Sequence, residues 1–195
     1  MKVVFNKFAP DEEIPVLDYI RNRKMLKYYN REARAALVTI GMLFREYTPN
    51  EDTPLFYSVG KVENDEFDIH KIARNSRDAA GRFSNQEFVE KGMMQISPLT
   101  QFKVLYNMIL CYISIEHQLT GDNAVLYSSA SGLLNYALCS PTGDEILIGT
   151  GKVSTDGGVE SGFAAVTKSE ILGLPMLNPG EEATVLFQHL VNQRK

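Results

Sequence analysis

Apolar residues along this chain recur with two periods, and the alternation between them predicts an α/β order. Val3-Val4-Phe5 and Leu55-Phe56-Tyr57-Ser58-Val59 are short β-branched and aromatic runs that predict strands. Between them, from Asn30 to Glu46, Ala33, Ala36, Leu37, Ile40, Leu43 and Phe44 fall three and four apart, with Arg31, Arg34 and Arg45 on other faces. That spacing predicts a helix packed on a sheet and ended by Thr48-Pro49-Asn50. Glu63 to Gly92 is polar and reads as short helices with loops. Ser97-Pro98-Leu99-Thr100 opens a second helical stretch, Phe102 to His117. A strand at Ala124 to Tyr127, a helix at Ala130 to Cys139 and strands at Glu145 to Gly149 and Phe163 to Thr167 complete the pattern. Ser154-Thr155-Asp156-Gly157-Gly158 has the length and residues of a loop between neighbouring antiparallel strands. The predicted fold is α/β: a five-stranded, mostly parallel sheet with one antiparallel edge strand and helices on both faces. Leu174 to Gly180 is Pro- and Gly-rich and sets apart a C-terminal helix, Glu181 to Val191.

With 195 residues, 44% hydrophobic and 23% charged, the chain is expected to bury one substantial core. No apolar run approaches the roughly 18 residues of a membrane span, and no signal-peptide pattern opens the chain, so a cytoplasmic protein without membrane contact is expected. A formal net charge of -4 argues against a general nucleic-acid binder. Cys111 and Cys139 both lie in apolar helical patterns and are expected to be buried free thiols. With no CxxC pair and with His70, His117 and His189 scattered, neither a metal nor a cofactor is predicted.

The chemistry concentrates at Tyr127-Ser128-Ser129-Ala130-Ser131-Gly132. A strand stops there at small residues from which a helix starts, the geometry that places a nucleophile at a helix N-terminus. Ser129 is the candidate, with Ser128, Ser131 and Gly132 as its substrate-binding neighbours. A serine hydroxyl needs an adjacent base, and no histidine is placed beside it by the sequence. The alternative is that Ser129 caps the helix. No Gly-x-Ser-x-Gly elbow exists, and Gly149-Thr150-Gly151-Lys152 fails the phosphate-loop spacing, reading instead as a strand end. Arg21, Arg23, Lys24 and Lys27, with Arg31 and Arg34 following, form a basic cluster on an acidic protein, either a solvated face or a dock for an acidic partner.

Four stretches, in order, resemble the N-terminal half of a β-ketoacyl synthase of the thiolase-like superfamily. They are the Arg31 to Phe44 helix; Ser97-Pro98-Leu99 with Tyr112 to Asn123; Tyr127 to Gly132; and Asp156-Gly157-Gly158-Val159 with Glu160 to Val166. The resemblance implies a thiolase-like half fold over 1–172, with 173–195 as a C-terminal extension carrying a short helix. Ser129 stands where that family carries its nucleophilic cysteine, and the chain lacks the half that would supply the catalytic histidines.

The resemblance therefore implies a protein of fatty acid or polyketide biosynthesis that does not condense, and that binds an acyl carrier protein, an acyl thioester or an acyl chain. Arg21, Arg23, Lys24 and Lys27 are its candidate carrier-docking residues. Two other readings stay open: an acyltransferase with Ser129 as acyl acceptor, and an α/β assembly module without acyl chemistry. Leu133-Leu134-Asn135-Tyr136-Ala137-Leu138-Cys139 is apolar on nearly every face, which predicts burial on all sides and hence a partner, either a second copy or a β-ketoacyl synthase chain. Ala124 to Tyr127 is the strand that would pair with its copy across a dimer twofold.

Overall fold

The computed structural model describes residues 1–60, 69–95, 102, 105–175 and 178–193. The chain divides into two compact units, Met1–Asn64 with Tyr106–Lys195, and Asp65–Leu105.

The larger unit is built on a mixed sheet of β1 (Lys2–Phe8), β2 (Leu55–Val59), β3 (Asn123–Leu126), β4 (Glu145–Val153) and β5 (Val159–Thr167), in the order β1-β5-β4-β2-β3. β4, β2 and β3 are parallel neighbours. Antiparallel pairing is confined to the other edge, where β5 runs between β4 and β1. Four of these five described strands therefore point one way and β5 the other, the predicted α/β sheet with an antiparallel side.

Ser154 to Gly158 joins β4 to β5 as expected, with the Ser154 N–H donating to Gly158 O at 2.9 Å and Gly157 at φ +88°. That φ lies in the left-handed region, which glycine enters without a Cβ clash. The strands run further than their β-branched cores suggested: β1 continues to Phe8, and β4 to Val153, so Gly149-Thr150-Gly151 lies inside a strand rather than at its end.

Five α-helices among the described residues of this unit cover the two faces. On one face lie α1 (Arg31–Leu43) and the later helix at Met108–His117; on the other lie helices at Ala130–Cys139, Lys168–Leu172 and Ala183–Asn192. Numbered in chain order, with α2 (Ile69–Asn75) in the smaller unit, these become α3, α4, α5 and α6. α1 starts at Asn30, whose side chain accepts from the Ala33 N–H at 2.8 Å. Alternation along the strands assigns residues to the two cores: Leu55, Tyr57 and Val59 face α1 and α3, whereas Phe56 faces α4 and α6. β2 is buried along its whole length, as a strand covered on both faces must be.

One expectation about burial needs correction: Cys111 and Cys139 are free thiols, but both are exposed. In the lone chain α4 packs Ala130, Leu133, Leu134 and Ala137 inward, while Asn135, Tyr136 and Cys139 face out. A ten-residue helix lying on a sheet has one face for the core, so an apolar sequence on every side leaves some of its residues outside. Of the helical stretch expected from Phe102, Phe102 itself is helical, Tyr106 and Asn107 form a turn and Met108–His117 is an α-helix; the predicted Ser97-Pro98-Leu99 turn lies outside the described residues.

In the smaller unit, α2 is followed by an Arg77–Phe83 bridge and by a helical stretch from Asn85 to Gln95 that includes a π-helical turn. Ser84 caps that stretch, and Phe83 lies 5.9 Å from Phe88, centroid to centroid. Phe83, Val89 and Met94 are exposed.

Candidate functional site

The carboxyl ends of the parallel strands β2, β3 and β4 open onto a cleft of about 360 Å³. Ligands of open α/β sheets gather at this end because the loops and helix N-termini converge there. Ser58, Val59 and Gly60 come from β2 and its end, Thr150 from β4, and Tyr127, Ser128 and Ser129 from the turn after β3. Gly180, Glu182, Ala183 and Thr184 close it from the start of α6.

Ser129 is the N-cap of α4, with φ -70° and ψ 172°. Its Oγ accepts the Gly132 N–H at 3.3 Å and lies 3.0 Å from Ser131 Oγ. Ser131 and Gly132 thus act on Ser129 itself, and Ser128 and Ser129 reach the cleft wall. Ser58 Oγ donates to Ser128 O at 2.7 Å and lies 3.3 Å from Ser128 Oγ. The Thr150 hydroxyl donates to Ser58 O at 2.8 Å, so the hydroxyl network ties the turn after β3 to β2 and β4. Gly132 is small for a packing reason: a Cβ there would stand 2.9 Å from Ser128 Cβ.

The N-terminus of α6 is docked beside that of α4. Ser129 and Glu182 form an antiparallel bridge, and the Ala130 N–H donates to Glu181 O at 2.8 Å. The Glu182 carboxylate is held by Lys152 Nζ at 3.0 and 3.2 Å. Ser58 and the α6 residues carry no expectation as site residues in the sequence, and Thr150 enters it only within the rejected phosphate-loop candidate Gly149-Thr150-Gly151-Lys152. The signal available was a serine and a threonine near the carboxyl ends of otherwise apolar strands, a pattern that acquires meaning only when the strands are known to be neighbours.

The described histidines lie off the cleft wall. His117 ends α3, packed edge-on against Phe44 at 4.8 Å between ring centroids, with Nε2 buried and unpartnered. Burial drives its pKa down to about 4. His70 is exposed, and His189 Nδ1 is 3.7 Å from Glu181 Oε1.

Arg21, Arg23, Lys24 and Lys27 are all exposed, on and just before a 3-10 helix, Arg23–Tyr28, instead of an α-helical face. The Arg21 N–H donates to the buried Glu116 of α3, which anchors the start of this basic segment. Lys27 Nζ lies 5.0 Å from the centroid of the Tyr28 ring.

No helix among the described residues is long and apolar enough to cross a membrane, and no cluster of potential metal ligands is found among them. No family model and no curated protein matches the chain. Among solved structures, the fold is similar to a chain of the AntDE:AntF complex, a type II polyketide synthase acyl-carrier protein in complex with its ketosynthase bound to the hexaketide. The TM-score is 0.51 at 9% identity, over 88% of this chain and 64% of that one. The matched part is thus under two thirds of the neighbour's length, and at this identity the likeness is one of architecture: an α/β fold similar to that of a chain in a polyketide synthase complex.

Proposed function

We propose that this chain is a β-ketoacyl synthase-like protein of fatty acid or polyketide biosynthesis that does not condense acyl groups and instead serves a carrier-borne acyl chain or a synthase as a binding partner. The observation that carries this reading is the place and state of Ser129. It stands at a strand–turn–helix junction on the cleft wall, where a nucleophile would be expected, yet its oxygen is engaged in capping α4. A hydroxyl in that role lacks the activation that a thiolate gains at a helix N-terminus.

The neighbouring complex contains an acyl-carrier protein, and the exposed Arg21, Arg23, Lys24 and Lys27 have the charge to meet an acidic carrier. A protein partner is supported by β3, which has a neighbour on one side only among the described strands, and by the exposure of Tyr127 (76%) and Ile115 (60%). The partner is a second copy or a synthase chain, with 1–172 as the synthase-like domain and 173–195 as an extension that completes the cleft.

The deciding experiment exposes the protein to acyl-carrier thioesters and measures carrier binding and intact mass in parallel. Carrier binding without a mass adduct is expected, weakened when Arg21, Arg23, Lys24 and Lys27 are changed to Glu. A stable adduct lost in Ser129→Ala would replace this reading with an acyltransferase, and absence of both binding and adduct would leave an assembly module. Light scattering reads the partner: a dimer at micromolar concentration supports the second copy.

A further inference from the structure

We infer, resting on the carrier-binding reading of the basic segment, that Glu116 and Tyr112 are its positioning residues: they hold Arg21 to Tyr28 in one shape, so that an acidic protein surface meets a preformed array of cations. Glu116 and Tyr112 stand four residues apart on α3 and share one face, and both are buried. Each takes hold of one end of the segment by its backbone. The Glu116 carboxylate accepts the Arg21 N–H, and the Tyr112 hydroxyl donates to Tyr28 O at 3.2 Å. The Tyr112 ring also packs on that of the buried Tyr29, with 4.7 Å between centroids.

Between these anchors the segment is shaped locally. Asn22 caps its 3-10 helix by accepting the Lys24 N–H at 3.2 Å, and Met25 and Leu26 pack against the core. The backbone is thus tied at both ends and in the middle, while Arg21, Arg23, Lys24 and Lys27 stay exposed. None of the four forms an ion pair among the described residues, and no acidic residue occurs from Tyr19 to Arg31. Their charge is left for a partner. Cations carried on a loose backbone lose freedom when they bind, and a backbone fixed beforehand lowers that cost. The negative charge of Glu116 by itself repels an acidic partner, so what it adds to binding comes through position.

The test measures binding of an acyl-carrier protein to the whole chain, and amide hydrogen exchange across Arg21 to Tyr28, in wild type and in Glu116→Ala, Glu116→Gln and Tyr112→Phe. Glu116→Ala and Tyr112→Phe should each speed exchange in the segment and weaken carrier binding about tenfold. The salt dependence of binding should stay as in wild type, because the four cations remain. Glu116→Gln keeps an acceptor for the Arg21 N–H and should return both exchange and affinity to near wild type. Affinity that is unchanged in Glu116→Ala and Tyr112→Phe, that rises in Glu116→Ala, or that falls without faster exchange overturns the inference and leaves the carrier reading standing. A wild type that binds no carrier overturns both. If Glu116→Ala does not fold, Tyr112→Phe, which removes a single oxygen, decides the question by itself.

Discussion

Tyr57 donates its phenolic hydroxyl to Glu32 Oε1 at 3.1 Å, between β2 and the first turn of α1, where both side chains are out of solvent. A Cβ on Gly151 would fall 2.0 Å from that hydroxyl, so the glycine in β4 leaves room for the pair. Burial outweighs the hydrogen bond and raises the Glu32 pKa from 4.5 to about 7. The carboxyl is therefore held nearer its neutral form than a surface glutamate.

Below pH 4.5 Glu32 is protonated in both folded and unfolded chains; as pH rises toward about 7 the unfolded chain ionises first, and stability falls. A shift of this size corresponds to about 3 kcal/mol. Glu32→Gln keeps an acceptor for Tyr57 and has no proton to lose. Denaturant unfolding should show the stability of this variant relative to wild type increasing by about 3 kcal/mol as pH rises from 4.5 to above 7. A difference between variant and wild type that stays constant across that window would contradict the burial argument.

His117 acts with the opposite sign. Its pKa is lowered from 6.5 to about 4, chiefly by burial, with Glu116 opposing and Arg21 reinforcing the shift. As pH falls from 6.5 toward 4 the unfolded chain takes up the proton first, and stability is lost by about 3 kcal/mol. In the wild type this loss overlaps the gain from Glu32. His117→Leu should therefore be more stable than wild type at pH 4.5 relative to pH 7.5, and in Glu32→Gln the acid-side loss should emerge more steeply. Thermal melts of the two variants across this range check both signs.

Phe187 of α6 packs directly on Gly162 of β5. A Cβ on Gly162 would lie 2.5 Å from Phe187 Cγ, closer than any side chain tolerates. Gly162→Ala must push α6 off the sheet or distort β5, at a cost of about 1–3 kcal/mol. Because α6 also forms one wall of the cleft, the substitution should loosen Glu182 and Thr184. Hydrogen exchange would reveal this as faster exchange in α6 than in α1, and a uniform loss across both helices would argue that α6 is not a separate packing element.

Ser129→Ala removes the cap of α4. The expected loss is about 1 kcal/mol, typical of an N-cap hydroxyl. The Ala130 N–H keeps its bond to Glu181 O, so the helix should remain in place. Ser129→Asp, which also caps, should recover most of the stability while placing a carboxylate at the cleft. A stability change near zero for the alanine variant would show that the cap is not what holds Ser129 in this position.

Much of the architecture was legible because local periodicity specifies local structure. The Ala130 to Cys139 helix matched its sequence bounds, and the small-residue turn before it fell where Tyr127 to Ser129 placed it. The burial of cysteines was misread because residue type reports a tendency to be buried, whereas the angle around the helix axis decides it: Cys111 and Ile115, four residues apart, share the outer face of α3. Half of the cleft was hidden for a related reason. Thr184 stands 55 residues after Ser129 in the sequence, and no local pattern announces that two helix N-termini meet.

The sequence by itself determined the strands, the principal helices, the turn at Ser129 and the absence of a thiol there, since each depends on residues within one or two turns of chain. Only the tertiary structure decided the order β1-β5-β4-β2-β3, the seat of α6 and the hydroxyl-lined cleft. Those depend on pairings between distant segments, such as Lys2 with Ala165, whose free energy comes from burying both faces of the sheet at once.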